Sequence, residues 1–167
     1  MSGGRAPEGV RDAGFAPVSR VTLWTIGGLV CLGLVTAGYL AVSSLVNASV
    51  ICGGIGDCGA VQASVYSRLY GVPVSALGFG AYVVLAGALV GVVTLRDEGR
   101  YLALLGLAAV AIAGMLFSLY LTYIELFVIR AICPWCLASA FAITVTAFLS
   151  VDELWRIALG QEPAQSR

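Results

Sequence analysis

The sequence places four of its five cysteines in two close pairs, Cys52 and Cys58 in "CGGIGDC" and Cys133 and Cys136 in "CPWC". Three chemistries suit such pairs. Four thiolates can hold a tetrahedral zinc ion, outward-facing cysteines can staple loops as inert disulfides, and a C-x-x-C couple can exchange disulfides as a redox centre. The C-x5-C spacing of the loop pair departs from the spacing of zinc ligands, so no metal is expected. Redox chemistry fits the local residues better. Pro134 suits the first position of a helix, which makes Cys133 its N-cap, where the positive end of the helix favours a thiolate. Pro-Trp keeps that turn stiff, whereas the three glycines of "CGGIGDC" describe a mobile loop. One rigid couple and one mobile couple suggest a relay, with structural staples as the rival.

The elements that must hold these pairs follow from charge. The chain is 60% hydrophobic and only 11% charged, where a soluble domain carries about a quarter charged residues. There is no charge between Arg20 and Asp57, Arg68 and Arg96, Arg100 and Glu125, or Arg130 and Asp152. Each gap holds a run close to or above the roughly 20 apolar residues that span a bilayer as a helix. The expected fold is therefore an all-α integral membrane protein, a four-transmembrane-helix bundle. Its helices are read as about Val21–Val46, Pro73–Leu95, Tyr101–Phe127 and Pro134–Val151, with a short outward-facing surface helix over Gly59–Tyr70. The first run is too long for a cleaved signal peptide, whose apolar part is roughly 7–15 residues. Residues 1–19 read as a disordered cytoplasmic tail, 20–152 as the membrane domain and 153–167 as a cytoplasmic C-terminal tail. Glycines throughout the spans, including the G-x-x-x-G of Gly87 and Gly91, favour close packing of helices in lipid.

Orientation rests on arginine, because the chain has neither lysine nor histidine. Arg5, Arg11 and Arg20 precede helix 1, Arg96 and Arg100 join helices 2 and 3, and Arg156 and Arg167 follow helix 4. By the positive-inside rule both termini are cytoplasmic and both cysteine pairs face outward, from an inner or plasma membrane crossed several times. Trp24, Tyr101 and Trp155 at inner ends, with Tyr66, Tyr70 and Trp135 at outer ones, agree with an interfacial belt. Disulfides persist in that outer compartment. Cys31 lies about ten residues or more below it, at about 1.5 Å each, and is read as a small core hydrophobe.

Taken together, the loop pair Cys52 and Cys58, Ser64 after it, "GVPVSALG" opening helix 2 and "YLTYIELFVIRAICPWC" resemble the bacterial form of the vitamin K epoxide reductase family, over about Val21–Val151. The resemblance implies a membrane thiol-disulfide:quinone oxidoreductase that passes electrons from a thioredoxin-like protein to a quinone, menaquinone or ubiquinone, in support of disulfide formation outside the cytoplasm. By position Cys52 exchanges with the partner, Cys58 carries electrons to Cys133, and Cys136 faces the quinone. Ser64 sits over the quinone head group, its hydroxyl within reach of a carbonyl oxygen. No thioredoxin-like domain is attached, so the partner is expected to be a separate protein of the DsbA type; no nucleic acid is expected. Ala140 stands where vertebrate members carry tyrosine, and Val74 where several relatives carry asparagine, which favours plain quinone reduction over epoxide reduction. A non-enzymatic membrane protein with structural loop disulfides is the alternative of another class.

Glu125 is the only carboxylate within a predicted span. It either relays protons to the reduced quinone or pairs with Arg130 or Arg68, and the pairing is the expectation because helix ends tolerate charge. Tyr120, Tyr123, Phe117, Tyr82 and Trp135 are candidate walls of a quinone pocket, each more readily read as ordinary packing.

Overall fold

In hydrocarbon a backbone must satisfy its own N–H and C=O groups, and a helix does so within one segment. The computed structural model describes residues 18–52 and 56–159. Its elements are α1 (Arg20–Leu45), α2 (Cys58–Ala63), β1 (Arg68–Leu69), β2 (Val72–Pro73), α3 (Val74–Thr94), α4 (Asp97–Tyr123) and α5 (Pro134–Ala158). α1, α3, α4 and α5 are long and apolar enough to cross a membrane, and the chain is an all-helical, four-span membrane protein. The expected tail over 1–19 lies outside the described residues except for Val18 and Ser19, as do residues 160–167 of the second tail.

Several boundaries differ from the sequence reading, each for a local reason. The surface helix ends at Ala63, because Ser64 turns extended at φ −67°, ψ 154°. A single 3-10 turn, Val65–Ser67, follows, then β1 and β2 pair antiparallel with Arg68 opposite Pro73. Tyr70 and Gly71 form the tip at φ 50° and 85°, the left-handed pair that a two-residue hairpin turn requires. "RDEGR" is not a free turn, since α4 begins at Asp97 and leaves only Leu95 and Arg96 extended between the spans. α5 runs on to Ala158, past Val151, with an exposed Asp152–Arg156 ion pair of 2.9 Å on its last turns.

The four spans close a ring in which α1 packs on α3 and α5, and α4 packs on the same two. Ile26, Leu85, Leu104 and Leu107 fill its centre. Small residues set the spacing, as expected where burial from water cannot drive helices together. The clearest case is Gly33 on α1, where a Cβ would enter the ring of Tyr82. That gap lets Tyr82 cross from α3 and donate its hydroxyl proton to the Ser139 carbonyl at 2.7 Å, while accepting from Ser139 Oγ at 3.2 Å. Tyr82 is therefore a packing residue of the core, 2% exposed. Cys31 is not in the core: its side chain is exposed on the outside of the ring.

Substituting Gly33→Ala should displace the Tyr82 ring and break its bonds to α5, costing about 1–3 kcal/mol as overpacking does. Gly28→Ala, with nothing within 4 Å of the added methyl, serves as the neutral comparison. Thermal melting in detergent checks the difference, and equal melting temperatures would refute the packing role of Gly33.

Candidate redox site

The site is assembled where the chain leaves α1 and where it enters α5. Ile51, next to Cys52, is fixed by both of its backbone groups. Its N–H donates to the Tyr39 hydroxyl on α1 at 3.0 Å, and its carbonyl accepts from Trp135 Nε1 on α5 at 3.0 Å. The two rings that hold it pack on each other, centroids 5.2 Å apart and tilted by 53°. Trp135 is thus a clamp on the loop backbone, and it does not line the cavity. Tyr39 has no outstanding feature in the sequence, and only the fold reveals its part.

The other end of the loop is fixed by a close backbone approach. Gly56 takes φ +82°, and a Cβ there would strike the carbonyl of Ile132. Only glycine takes this conformation and this contact without strain. The Asp57 N–H then donates to that same Ile132 carbonyl at 3.1 Å. Asp57 also caps α2, its carboxylate accepting from the Ala60 N–H at 2.9 Å. Cys58 is thereby the first residue of α2 and is driven inward, 1% exposed. Cys52 and Cys58 are disulfide-bonded, with Cα atoms 6.1 Å apart, whereas Cys133 and Cys136 are free thiols. The mobile outer couple of the sequence reading is, at Cys58, a buried one.

At α5 the N-cap expectation holds. α4 widens at its end into a π-helical stretch, Ile124–Ile129, closed by Arg130 in the left-handed region at φ 56°. Cys133 follows as the N-cap and Pro134 as the first helical residue. The Cys133 sulfur accepts from the Cys136 N–H at 3.4 Å. A hydrogen bond from the Cys136 side chain holds the Cys133 thiol below the usual cysteine range, with burial working against it. A thiol so placed is predisposed to act as the thiolate that disulfide exchange needs. Cys58 and fully buried Cys133 share one hydrophobic cluster with Leu40, and Cys52, Cys136 and Trp135 pack around it. The fold thus brings all four paired cysteines together.

Beside the cluster lies a cavity of about 140 Å³, walled by residues of α1, α2, α3, α4 and α5. Cys136, Ser64, Phe117, Val74 and Ala140 line it, while Tyr82, Tyr120, Tyr123 and Trp135 do not. Ser64 lies just past the end of α2 rather than within the surface helix, and its hydroxyl donates to the Val61 carbonyl at 2.7 Å, leaving its oxygen lone pairs toward other partners. Glu125 also lines the cavity, 5% exposed. The expected ion pair is not formed: among the described residues neither Arg68 nor Arg130 reaches it, and the one ion pair is that of Arg156 with Asp152. The carboxyl instead hydrogen-bonds the Cys136 side chain and the Cys133 backbone N–H. Its Oε2, like Ser75 Oγ on α3, is buried without a hydrogen-bond partner among the described residues. An apolar slot with two unpartnered polar atoms fits a flat ring bearing two carbonyl oxygens.

A helical membrane bundle with two touching cysteine pairs at one end has the build of a membrane oxidoreductase. The vitamin K epoxide reductase family model matches residues 24–151, and the chain belongs to that family. Members of this family are quinone-linked disulfide oxidoreductases of the membrane. No curated protein matches the chain significantly.

Gly56→Ala should lift the loop from Ile132 and open a path to Cys133. A non-glycine residue held in this region costs about 1–3 kcal/mol, so alkylation of Cys133 in the folded protein should speed up by about tenfold or more. Peptide mass spectrometry after timed alkylation gives the rate, and unchanged protection of Cys133 would refute the role given to Gly56.

Proposed function

We propose that the chain is a thiol:quinone oxidoreductase that reoxidises a separate thioredoxin-fold protein of the DsbA type, with menaquinone or ubiquinone as the electron acceptor. The observation that carries this reading is the burial of Cys58 and Cys133 in one cluster, with Cys136 packed against it and lining the cavity. A partner thiolate attacks Cys52 and opens the loop disulfide, and the partner's second thiol releases Cys52. Cys58 then attacks Cys133 of the Cys133–Cys136 disulfide, and Cys52 resolves the bridge so formed. The loop disulfide is restored and the membrane pair is left reduced. Each step is an exchange in which a thiolate displaces a sulfur. Two electrons then pass from Cys133 and Cys136 to quinone, which takes up two protons and leaves as quinol. The quinone supplies the oxidising power, and the protein supplies orientation and a site shielded from water.

Ser64 is assigned to the rim of that site, with Cys136 as the thiol nearest the acceptor. Val74 and Ala140 present only methyl groups to the cavity, which supports plain quinone reduction over epoxide reduction. The cysteine end is assigned to the outer face, with the arginine-bearing ends of the spans in the cytoplasm.

Two variants test the relay against a structural staple. Cys136→Ala should accept electrons from one equivalent of reduced partner and then stop, with quinone reduction lowered by about 100-fold or more, since no thiol remains to close a disulfide with Cys133. Cys52→Ala should trap a Cys58–Cys133 bridge, visible in non-reduced peptides, and Cys31→Ala should stay within about twofold of wild type. Near wild-type quinone reduction by Cys136→Ala, or no trapped bridge, would sink this path.

Orientation is tested separately. On reduced whole cells a membrane-impermeant thiol reagent should label Cys52, while a cysteine introduced by Glu98→Cys should label only after the membrane is opened. The opposite pattern would place the pairs in a reducing compartment.

A further inference from the structure

Glu125 is a carboxylic acid buried in a membrane span, with no ion pair to a cation among the described residues, and charges at such depth are expensive. Its position is built rather than accidental. It stands in the first turn of the π-helical stretch, and its carbonyl accepts from the N–H groups of both Arg130 and Ala131. A π-bulge of this kind redirects side chains and is common at functional sites. Here it turns the carboxyl toward the reduced cysteine pair. Cys136 and Glu125 line the same cavity, and the Cys136 thiol has both the Cys133 sulfur and the Glu125 carboxyl within reach, so its one proton can go to either. Among the described residues the second oxygen of Glu125, Oε2, has no partner, nor has Ser75 Oγ on α3, and both residues line the cavity. One carboxyl therefore touches the sulfur that must lose a proton and the space where a proton must arrive.

We propose that Glu125 is the acid–base group of this site, taking the Cys136 proton and delivering it from Oε2 to the quinone; the assignment rests on the quinone-reducing reading above. In the step, the S–H bond of Cys136 breaks and the S–S bond between Cys133 and Cys136 forms. The two sulfurs are oxidised by two electrons, and the quinone is reduced by the same two. The Cys136 proton moves to the Glu125 carboxylate and on to one quinol oxygen. The second quinol proton comes from water, replacing the one that Cys133 gave up on becoming a thiolate. In the preceding exchange the same carboxyl returns a proton to Cys136 as that sulfur leaves Cys133. Ser75 is left to orient the other oxygen of the ring.

The test separates the two halves of the reaction in purified protein, using a short-chain 1,4-naphthoquinone as acceptor and a dithiol as donor. Glu125→Gln keeps the shape and the hydrogen bonds but cannot carry the proton. Oxidation of the reduced Cys133–Cys136 pair by the naphthoquinone should slow by about 100-fold or more, the usual weight of acid–base catalysis. Reduction of the Cys52–Cys58 disulfide by the dithiol should stay within about twofold, and Glu125→Asp should recover part of the lost rate. In wild type, heavy water should slow the naphthoquinone step and leave the loop step unchanged, a readout that does not depend on any variant folding. A near wild-type rate in Glu125→Gln, an equal fall in both halves, or no heavy-water effect would each overturn the assignment. Failure of wild type to reduce the naphthoquinone would instead overturn the quinone reading and take this assignment with it.

Discussion

A bilayer offers no hydrogen bonds to an open helix end, so the free amides at the start of α5 must be met by the protein itself. Cys133 meets one of them with its sulfur, through the Cys136 N–H. The same lone-pair density that caps the helix is what makes the sulfur reactive, so structure and chemistry compete for one atom. Everything near it is arranged around that competition. Pro134 gives up no amide that needed a partner, and Arg130 takes a left-handed turn to bring the chain off α4 at the right angle. The widened end of α4 then sets Glu125 against the cysteines.

The interior of the bundle and the site are joined more closely than their distance along the chain suggests. Ser139, held through two bonds by Tyr82, also lines the cavity three residues beyond Cys136. Tyr82 can reach it only because Gly33 leaves room on α1. A missing methyl on one helix therefore fixes the register of another and, with it, the wall of the cavity. Tyr39 does the equivalent at the cysteine end, where α1 and α5 together grip the backbone beside Cys52.

What the sequence made legible was set by strong, local signals. Charge-free runs marked the four spans, and Cys-Pro marked the cap of α5, because both depend on residues adjacent in the chain. The spacing of Cys52, Cys58, Ser64, Cys133 and Cys136 carried the family. What it hid depended on packing across helices. Nothing in "GAVQASVYSRLYG" shows a helix stopping at Ala63, since the stop comes from the hairpin beyond it. Glu125 read as a partner for Arg130 by proximity in sequence, but Arg130 closes the π-helical stretch in the left-handed region and the two form no ion pair. Cys31 read as core by its depth, whereas depth in a membrane bundle says nothing about which side of a helix meets lipid.

The burial of Cys133 has a consequence for insulation. With no exposed surface of its own, it offers no landing place to the small thiols dissolved in the water outside. Cys52 is the partly accessible sulfur, so a soluble reductant meets the loop disulfide before anything deeper. The loop pair therefore behaves like a sheath around a conductor. In the proposed relay it blocks a short circuit in which stray thiols would drain straight into the membrane's pool of oxidant, and it leaves the choice of electron donor to whatever surface surrounds Cys52.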